Sequence, residues 1–161
     1  MKDENLLFRP AVRVDLEGIV GMLADDNLGR TRENPELPLE RSYEEAFQAI
    51  HEDPNNELIV AEADGQLAGV LQLTFLPSIT YRGSWRAMIE GVRTASSMRG
   101  RGIGRELILH SIRLAEEKGC RLIQLTTDKS RPDAIRFYES LGFSPTHEGM
   151  KMRLDKGDGK E

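Results

Sequence analysis

The residues with the clearest chemical content lie in one run, Arg99-Gly100-Arg101-Gly102-Ile103-Gly104-Arg105. Glycines at alternate positions let a backbone turn tightly and approach a ligand, and the helical pattern that begins here offers unsatisfied N–H groups at its start. Arg99, Arg101 and Arg105 add charge, so an anion meets both dipoles and guanidinium groups. This is the chemistry of a pyrophosphate cradle. Spacing narrows the ligand. A dinucleotide fingerprint needs G-x-G-x-x-G, and counted from Gly100 its last glycine is replaced by Arg105. A nucleotide-triphosphate loop needs Gly-Lys-Ser/Thr, and none follows. What remains is R-x-x-G-x-G, carried by Arg99, Gly102 and Gly104.

That pattern, preceded by Ile89-Glu90-Gly91-Val92-Arg93-Thr94, resembles the acetyl-CoA loop of the GCN5-related N-acetyltransferase family. Phe8-Arg9-Pro10-Ala11 followed by Asp15-Leu16-Glu17-Gly18-Ile19 is similar to that family's first strand and helix. Asp133 to Phe143, with Phe137-Tyr138-Glu139-Ser140-Leu141-Gly142-Phe143 at its end, is similar to its second CoA-contacting motif. The resemblance spans about residues 6 to 154, and three motifs in order are far more specific than one.

The resemblance implies an α+β fold: a central mixed, mostly antiparallel sheet of six or seven strands flanked by about four helices. It implies an enzyme that moves the acetyl group of acetyl-CoA directly to an amine of a small molecule or peptide, without a metal. The alternative on the same fold is a non-catalytic acyl-CoA-binding sensor or regulatory module. The cofactor contacts it implies are the main chain of Val92, Arg93 and Thr94, the loop residues Arg99, Gly100, Arg101, Gly102, Ile103, Gly104 and Arg105, and Arg131. Arg131 is a departure: the family often has asparagine there, and arginine either pairs with a CoA phosphate or is simply exposed.

Acetyl transfer needs an unprotonated amine, a home for the oxyanion and a proton for the thiolate. With an amine pKa near 10, only about one molecule in a thousand is nucleophilic at neutral pH, so a base is useful. Glu90 is the candidate base, directly or through water; alternation with Met88, Val92 and Thr94 predicts a largely apolar, desolvating face for it. The bland reading is a structural or substrate-binding carboxylate. Tyr138 is the candidate acid for the thiolate, or a core aromatic beside Phe137. The oxyanion site implied is a backbone N–H near Val92, where the strand splays from its neighbour.

These residues need elements to hold them. Strands are predicted over Leu6–Val12, Glu57–Ala63, Gln66–Leu76, Trp85–Ala95 and Leu122–Thr126, with short final strands at Ser144–His147 and Met150–Leu154. Asp64-Gly65 marks a hairpin. Helices are predicted from Asp15 to Leu23, from a capping box at Ser42-Tyr43-Glu44-Glu45 to Ile50, from Ile103 to Lys118-Gly119 with Ile103, Leu107, Ile108, Ile112 and Ala115 inward, and from Pro132 to Leu141-Gly142. Asp25 to Glu40 reads as a long loop without period, mobile or functional.

A chain of 161 residues suits one domain, expected over 5–157 with a disordered tail at 158–161. A net charge of −5 with arginines gathered near residue 100 argues against nucleic acid as a partner. The acidic group Asp25, Asp26, Glu33, Glu36 and Glu40 either attracts a cationic amine or is a solvated loop. No apolar run approaches the roughly 20 residues of a membrane span, Met1-Lys2-Asp3-Glu4 lacks signal-peptide order, and the single Cys120 suits a reducing compartment, so a cytoplasmic protein is expected. His51, His110 and His147 lack metal-ligand spacing and are expected at the surface. A homodimer is the expected assembly, with strand edges near the C-terminus as its seam.

Overall fold

A computed structural model describes residues 5–155, which fall into two compact units divided after Leu125. Met1–Glu4 and the expected tail at 158–161 lie outside the described residues. The first unit is a five-stranded sheet in the order β1 (Leu6–Pro10), β2 (Asn56–Ala63), β3 (Gln66–Pro77), β4 (Trp85–Thr94) and β5 (Cys120–Leu125). The first four strands pair antiparallel and β5 joins β4 in parallel, so the expected α+β class with a mixed sheet is found.

Strand alternation gives the sheet two apolar faces. On one, the cross-strand pairs Ile59–Leu71, Leu73–Ile89 and Phe75–Ala87 are buried under α5 (Ile103–Glu117), which brings Ile103, Leu107, Ile108 and Ala115 inward as its spacing predicts. Ser111 is also fully buried there, its hydroxyl donating to the Leu107 carbonyl at 3.0 Å. On the other face, α1 (Leu16–Ala24) and α3 (Arg41–Glu52) cover Val60 and Val70 with Leu16, Ile19, Val20 and Phe47.

Three expectations need correction. α3 begins one residue before Ser42, with Glu40 at its N-cap and no side-chain cap, so the capping box does not form; the Glu40 carbonyl receives the Tyr43 N–H instead. The 25–40 segment is not a featureless loop. It contains the single helical turn α2 (Gly29–Arg32), and the Tyr43 hydroxyl donates to Glu33 at 2.8 Å and accepts from the Asn34 N–H. The final strands are absent from the second unit. Residues 144–155 make no ladder among the described residues, and the alternating Met150, Met152 and Leu154 are 84–94% exposed. Alternation signals a strand only where a neighbouring edge exists to pair with it. The second unit otherwise consists of α6 (Pro132–Ser140) and its flanking turns. Among the described residues no helix is long and apolar enough to cross a membrane.

His110 is not a surface histidine. It lies flat against Phe8, ring centroids 4.8 Å apart and planes at 15°, tying α5 to β1. Burial, aided by Arg113 and opposed by Glu117, holds its imidazole below the ordinary histidine range. The folded chain therefore takes up this proton at lower pH than the unfolded chain does, and stability contributed above about pH 6.5 is lost as pH falls below it. His110→Phe keeps the stack and removes the proton. Urea midpoints measured from pH 7 to pH 5 are expected to fall less steeply for this variant than for the wild type.

Candidate active site

β4 carries the irregularity on which the site is built. Val70 of β3 faces Arg93 and Gln72 faces Glu90, so Leu71 alone spans Gly91 and Val92. One extra residue in a strand is a bulge, and Gly91 accommodates it in the left-handed region at φ 62°. Pairing between β4 and β5 ends at Ile89–Leu125, yet β4 runs on to Thr94. The strands thus part at Glu90, leaving the backbone of Glu90–Thr94 without a β5 partner among the described residues.

Glu90 stands at that parting point, but not on the apolar, desolvating face expected for it. The buried residues of β4 are Ala87 and Ile89, while Glu90 is exposed and makes no hydrogen bond or ion pair with any described residue. Glu90 shares a face with Met88, as the alternation predicts, but at Glu90 that face is open rather than apolar and buried. Its face is polar. Gln72 lies directly across from it; one row further back, Asn56 Oδ1 accepts from Gln72 Nε2 at 3.0 Å and from Thr74 Oγ1 at 2.7 Å. Gln124 Nε2 approaches Met88 Sδ at 3.8 Å in the same row. These side chains were not singled out from sequence. Gln72 and Thr74 alternating within an otherwise apolar strand were the available signal.

Downstream of β4 the glycine run leads into α5. Gly102 is the N-cap of α5 at φ 79°, ψ 6°, and Gly100 is also left-handed. Glu106 donates back to the Gly102 carbonyl, so the N–H groups of Ile103, Gly104 and Arg105 open the helix without intrahelical partners. The side chains divide their work. Ile103 is buried in the core and anchors the helix start; Arg101 pairs with Asp64 of the β2–β3 hairpin at 3.1 Å, Arg105 with Glu106 at 3.5 Å. Arg99 donates to the Asp25 carbonyl at 3.1 Å. A cleft of about 440 Å³ opens alongside, between Gly18, Gly21 and Met22 of α1 and the Ala95-Ser96 exit of β4. A Cβ at Gly102 meets nothing within 4 Å, so alanine there costs conformational energy alone, about 1–2 kcal/mol. Gly102→Ala is expected to lower the melting temperature by a few degrees and to weaken CoA binding several-fold, both readable by thermal shift with and without CoA.

Arg93, expected to act through its main chain, also uses its side chain. Nε lies 3.1 Å from Asp26 Oδ2, with both side chains under one-fifth exposed, and Nη1 donates to the Val92 carbonyl at 2.8 Å. Asp26 in turn receives the Gly29 N–H at the start of α2. The bulge and the α1–α2 corner are thereby tied together. Val92 and Thr94 are half-buried beside it.

In the second unit, Arg131 is the half-buried N-cap of α6 rather than an exposed residue. Tyr138 is half-buried, edge-on to Phe137 at 5.2 Å and to Phe143 at 6.0 Å. The aromatic packing weighed as the bland alternative is therefore present. Cys120 is half-buried at the start of β5, and that burial pushes its thiol up.

The acetyltransferase (GNAT) family model matches residues 25–143. A crystal structure of a transcriptional regulator from Bacillus halodurans C-125 is 58% identical and superposes with a TM-score of 0.91, covering 93% of this chain and 100% of that one. An aminoalkylphosphonate N-acetyltransferase from Salmonella typhimurium is 28% identical over 66% of this chain and 69% of its own. A glucosamine 6-phosphate N-acetyltransferase from Trypanosoma brucei brucei is 38% identical over 56% of this chain and 58% of its own length, so the chain spans little more than half of that relative. The strand bulge, the glycine run and the family match across most of the chain agree: it belongs to the acetyltransferase (GNAT) family and is an acetyl-CoA-dependent N-acetyltransferase.

Proposed function

We propose that the protein transfers acetyl directly from acetyl-CoA to the amine of a small molecule in the cytoplasm. The CoA pyrophosphate rests on the N–H groups of 102–105 with Arg99, Arg101 and Arg105 nearby, and the pantetheine amides pair with the β4 backbone at Val92–Thr94, past its last pairing with β5. Glu90 takes the proton that makes the amine nucleophilic. The amine nitrogen attacks the thioester carbon, the oxyanion is held by the Val92 N–H, the carbon–sulfur bond breaks, Tyr138 gives its proton to the departing thiolate, and the nitrogen's extra proton passes through solvent to restore the phenol. The observation that carries this reading is Glu90 itself, a carboxylate without a partner among the described residues, at the point where β4 leaves β5. Arg131, at an N-cap, is a further CoA phosphate contact.

The two N-acetyltransferase relatives act, by name, on small amines, which supports a small molecule over a peptide as acceptor. Incubation with acetyl-CoA and a panel of amines, following free thiol and acetylated product by mass spectrometry, tests the reaction. Thiol release that depends on an amine is expected; tight CoA binding with no turnover on any amine contradicts it. A second reading, an acyl-CoA-responsive regulator, is favoured by the description of the Bacillus halodurans protein. That reading expects Glu90→Gln and Tyr138→Phe to leave the protein's cellular effect intact.

A further inference from the structure

The sheet face that presents Glu90 continues back along β4 to Arg86, four residues earlier. Arg86 is half-buried, and its Nη2 donates to Ser78 Oγ and to Thr80 Oγ1, each at 3.0 Å. The two hydroxyls are 2.7 Å apart. Arg9 and Arg93, half-buried arginines elsewhere on the sheet, each face a carboxylate: Arg9 that of Asp15 at 2.7 Å, Arg93 that of Asp26. Arg86 faces none among the described residues. A guanidinium carries five N–H donors in a planar fork, and here Nε and Nη1 donate to no described residue.

The surrounding turn is held in an unusual shape. In the single turn α4 (Thr80–Gly83), Tyr81 and Arg82 both adopt left-handed backbone, φ 54° and 63°, a region unfavourable for residues with a Cβ. Ser78 N–H to the Ser84 carbonyl closes the turn, and the Arg121 guanidinium lies 5.9 Å over the Tyr81 ring. Strain of this kind persists where its surroundings hold it, and here it sets two hydroxyls and a cation side by side. Arg82, Arg86 and Arg121 make the region cationic in a chain of net charge −5.

Between Glu90 and Arg86 the floor is neutral and polar: Asn56, Thr74, Met88 and Gln124 share one row across four strands. At the strand rise per residue, the Glu90 and Arg86 Cα atoms are about 13 Å apart. We infer that Arg86, Ser78 and Thr80 form an anion subsite for the far end of the acceptor, an amine whose carboxylate or phosphate lies several bonds from its nitrogen. The inference rests on the reaction proposed above and adds a substrate class to it. With the amine at Glu90, the guanidinium fork and the two hydroxyls donate to the anion's oxygens; an anion on the carbon next to the amine does not reach them.

Calorimetric titration of the CoA-loaded protein with 6-aminohexylphosphonate, 6-aminohexanoate and n-hexylamine tests this, alongside thiol release from acetyl-CoA with the same amines. At least one anionic amine is expected to bind about tenfold more tightly than hexylamine, and which one does so separates phosphate from carboxylate recognition. Arg86→Gln is expected to shrink that preference to within about twofold, with CoA affinity reporting that the sheet is intact. Should that variant fail to fold, Ser78→Ala combined with Thr80→Val carries the test and is expected to shrink the preference in part. Equal binding of all three amines by the wild type, or a preference that survives these substitutions, overturns the subsite. An Arg86-dependent preference without thiol release from any amine supports the subsite while refuting the transfer reaction.

Discussion

Glu90→Gln is expected to lower kcat for amine acetylation by about 100-fold and to leave KM for acetyl-CoA within about twofold of wild type. Glutamine keeps the side chain's size and polarity but takes no proton from an ammonium. The variant is also a clean one. Glu90 is exposed and bonded to no described residue, so its loss removes no packing, and the melting temperature is expected to move by less than about 1 °C. Steady-state kinetics on both substrates separates the two roles weighed for this carboxylate. A base acts in the transition state, so its loss lowers kcat; a mere docking group for the ammonium raises KM for the amine and spares kcat. The second outcome would remove Glu90 from the chemistry and leave it a substrate contact.

Arg93→Ala has the largest expected effect on stability, about 3 kcal/mol, or roughly 6–12 °C in melting temperature. The ion pair with Asp26 is mostly shielded from water, so removing the guanidinium strands a carboxylate rather than merely losing a surface contact. Asp26→Asn keeps an acceptor for the Gly29 N–H but leaves the shielded guanidinium without its counter-charge, so a loss of similar size is expected. Arg93→Ala combined with Asp26→Ala is expected to cost less than the sum of the two alone, the mark of direct coupling. Chemical denaturation of the wild type and these variants reads this. A loss below about 1 kcal/mol for Arg93→Ala would class the pair with ordinary surface salt bridges. Because the pair ties the bulge to the α1–α2 corner, the variant is also expected to raise KM for the acceptor.

The legible parts of this fold were those specified by local chemistry. Asp64-Gly65 gave the hairpin, and both residues are left-handed as such a turn requires. The glycine run after a strand gave the left-handed turn and the start of α5. The order of the longer elements followed from periodicity up to α6, while the single turns α2 and α4 did not. What failed depended on neighbours. Alternation put Glu90 on the Met88 face correctly, but the polar character of that face comes from Asn56, Gln72 and Gln124 on other strands, visible only once the strands are paired. The alternation at Met150, Met152 and Leu154 implied a strand, but alternation alone does not supply a pairing partner, and these side chains are exposed. Arg93 and Asp26 are 67 positions apart in the sequence, 93 minus 26, and nothing in either neighbourhood announces the other. The hydroxyls around Arg86 were hidden in the same way, since Tyr81 and Arg82 carry no sequence signal for left-handed backbone.

A crystal structure of the protein with acetyl-CoA bound tests the placement of the site most directly. The pyrophosphate is expected within hydrogen-bond distance of the N–H groups at 102–105, and the thioester carbonyl at the Val92 N–H with the Glu90 carboxylate beside the acetyl carbon. Cofactor seated away from the Gly91 bulge, or a thioester that leaves Val92 and Glu90 untouched, would contradict the account.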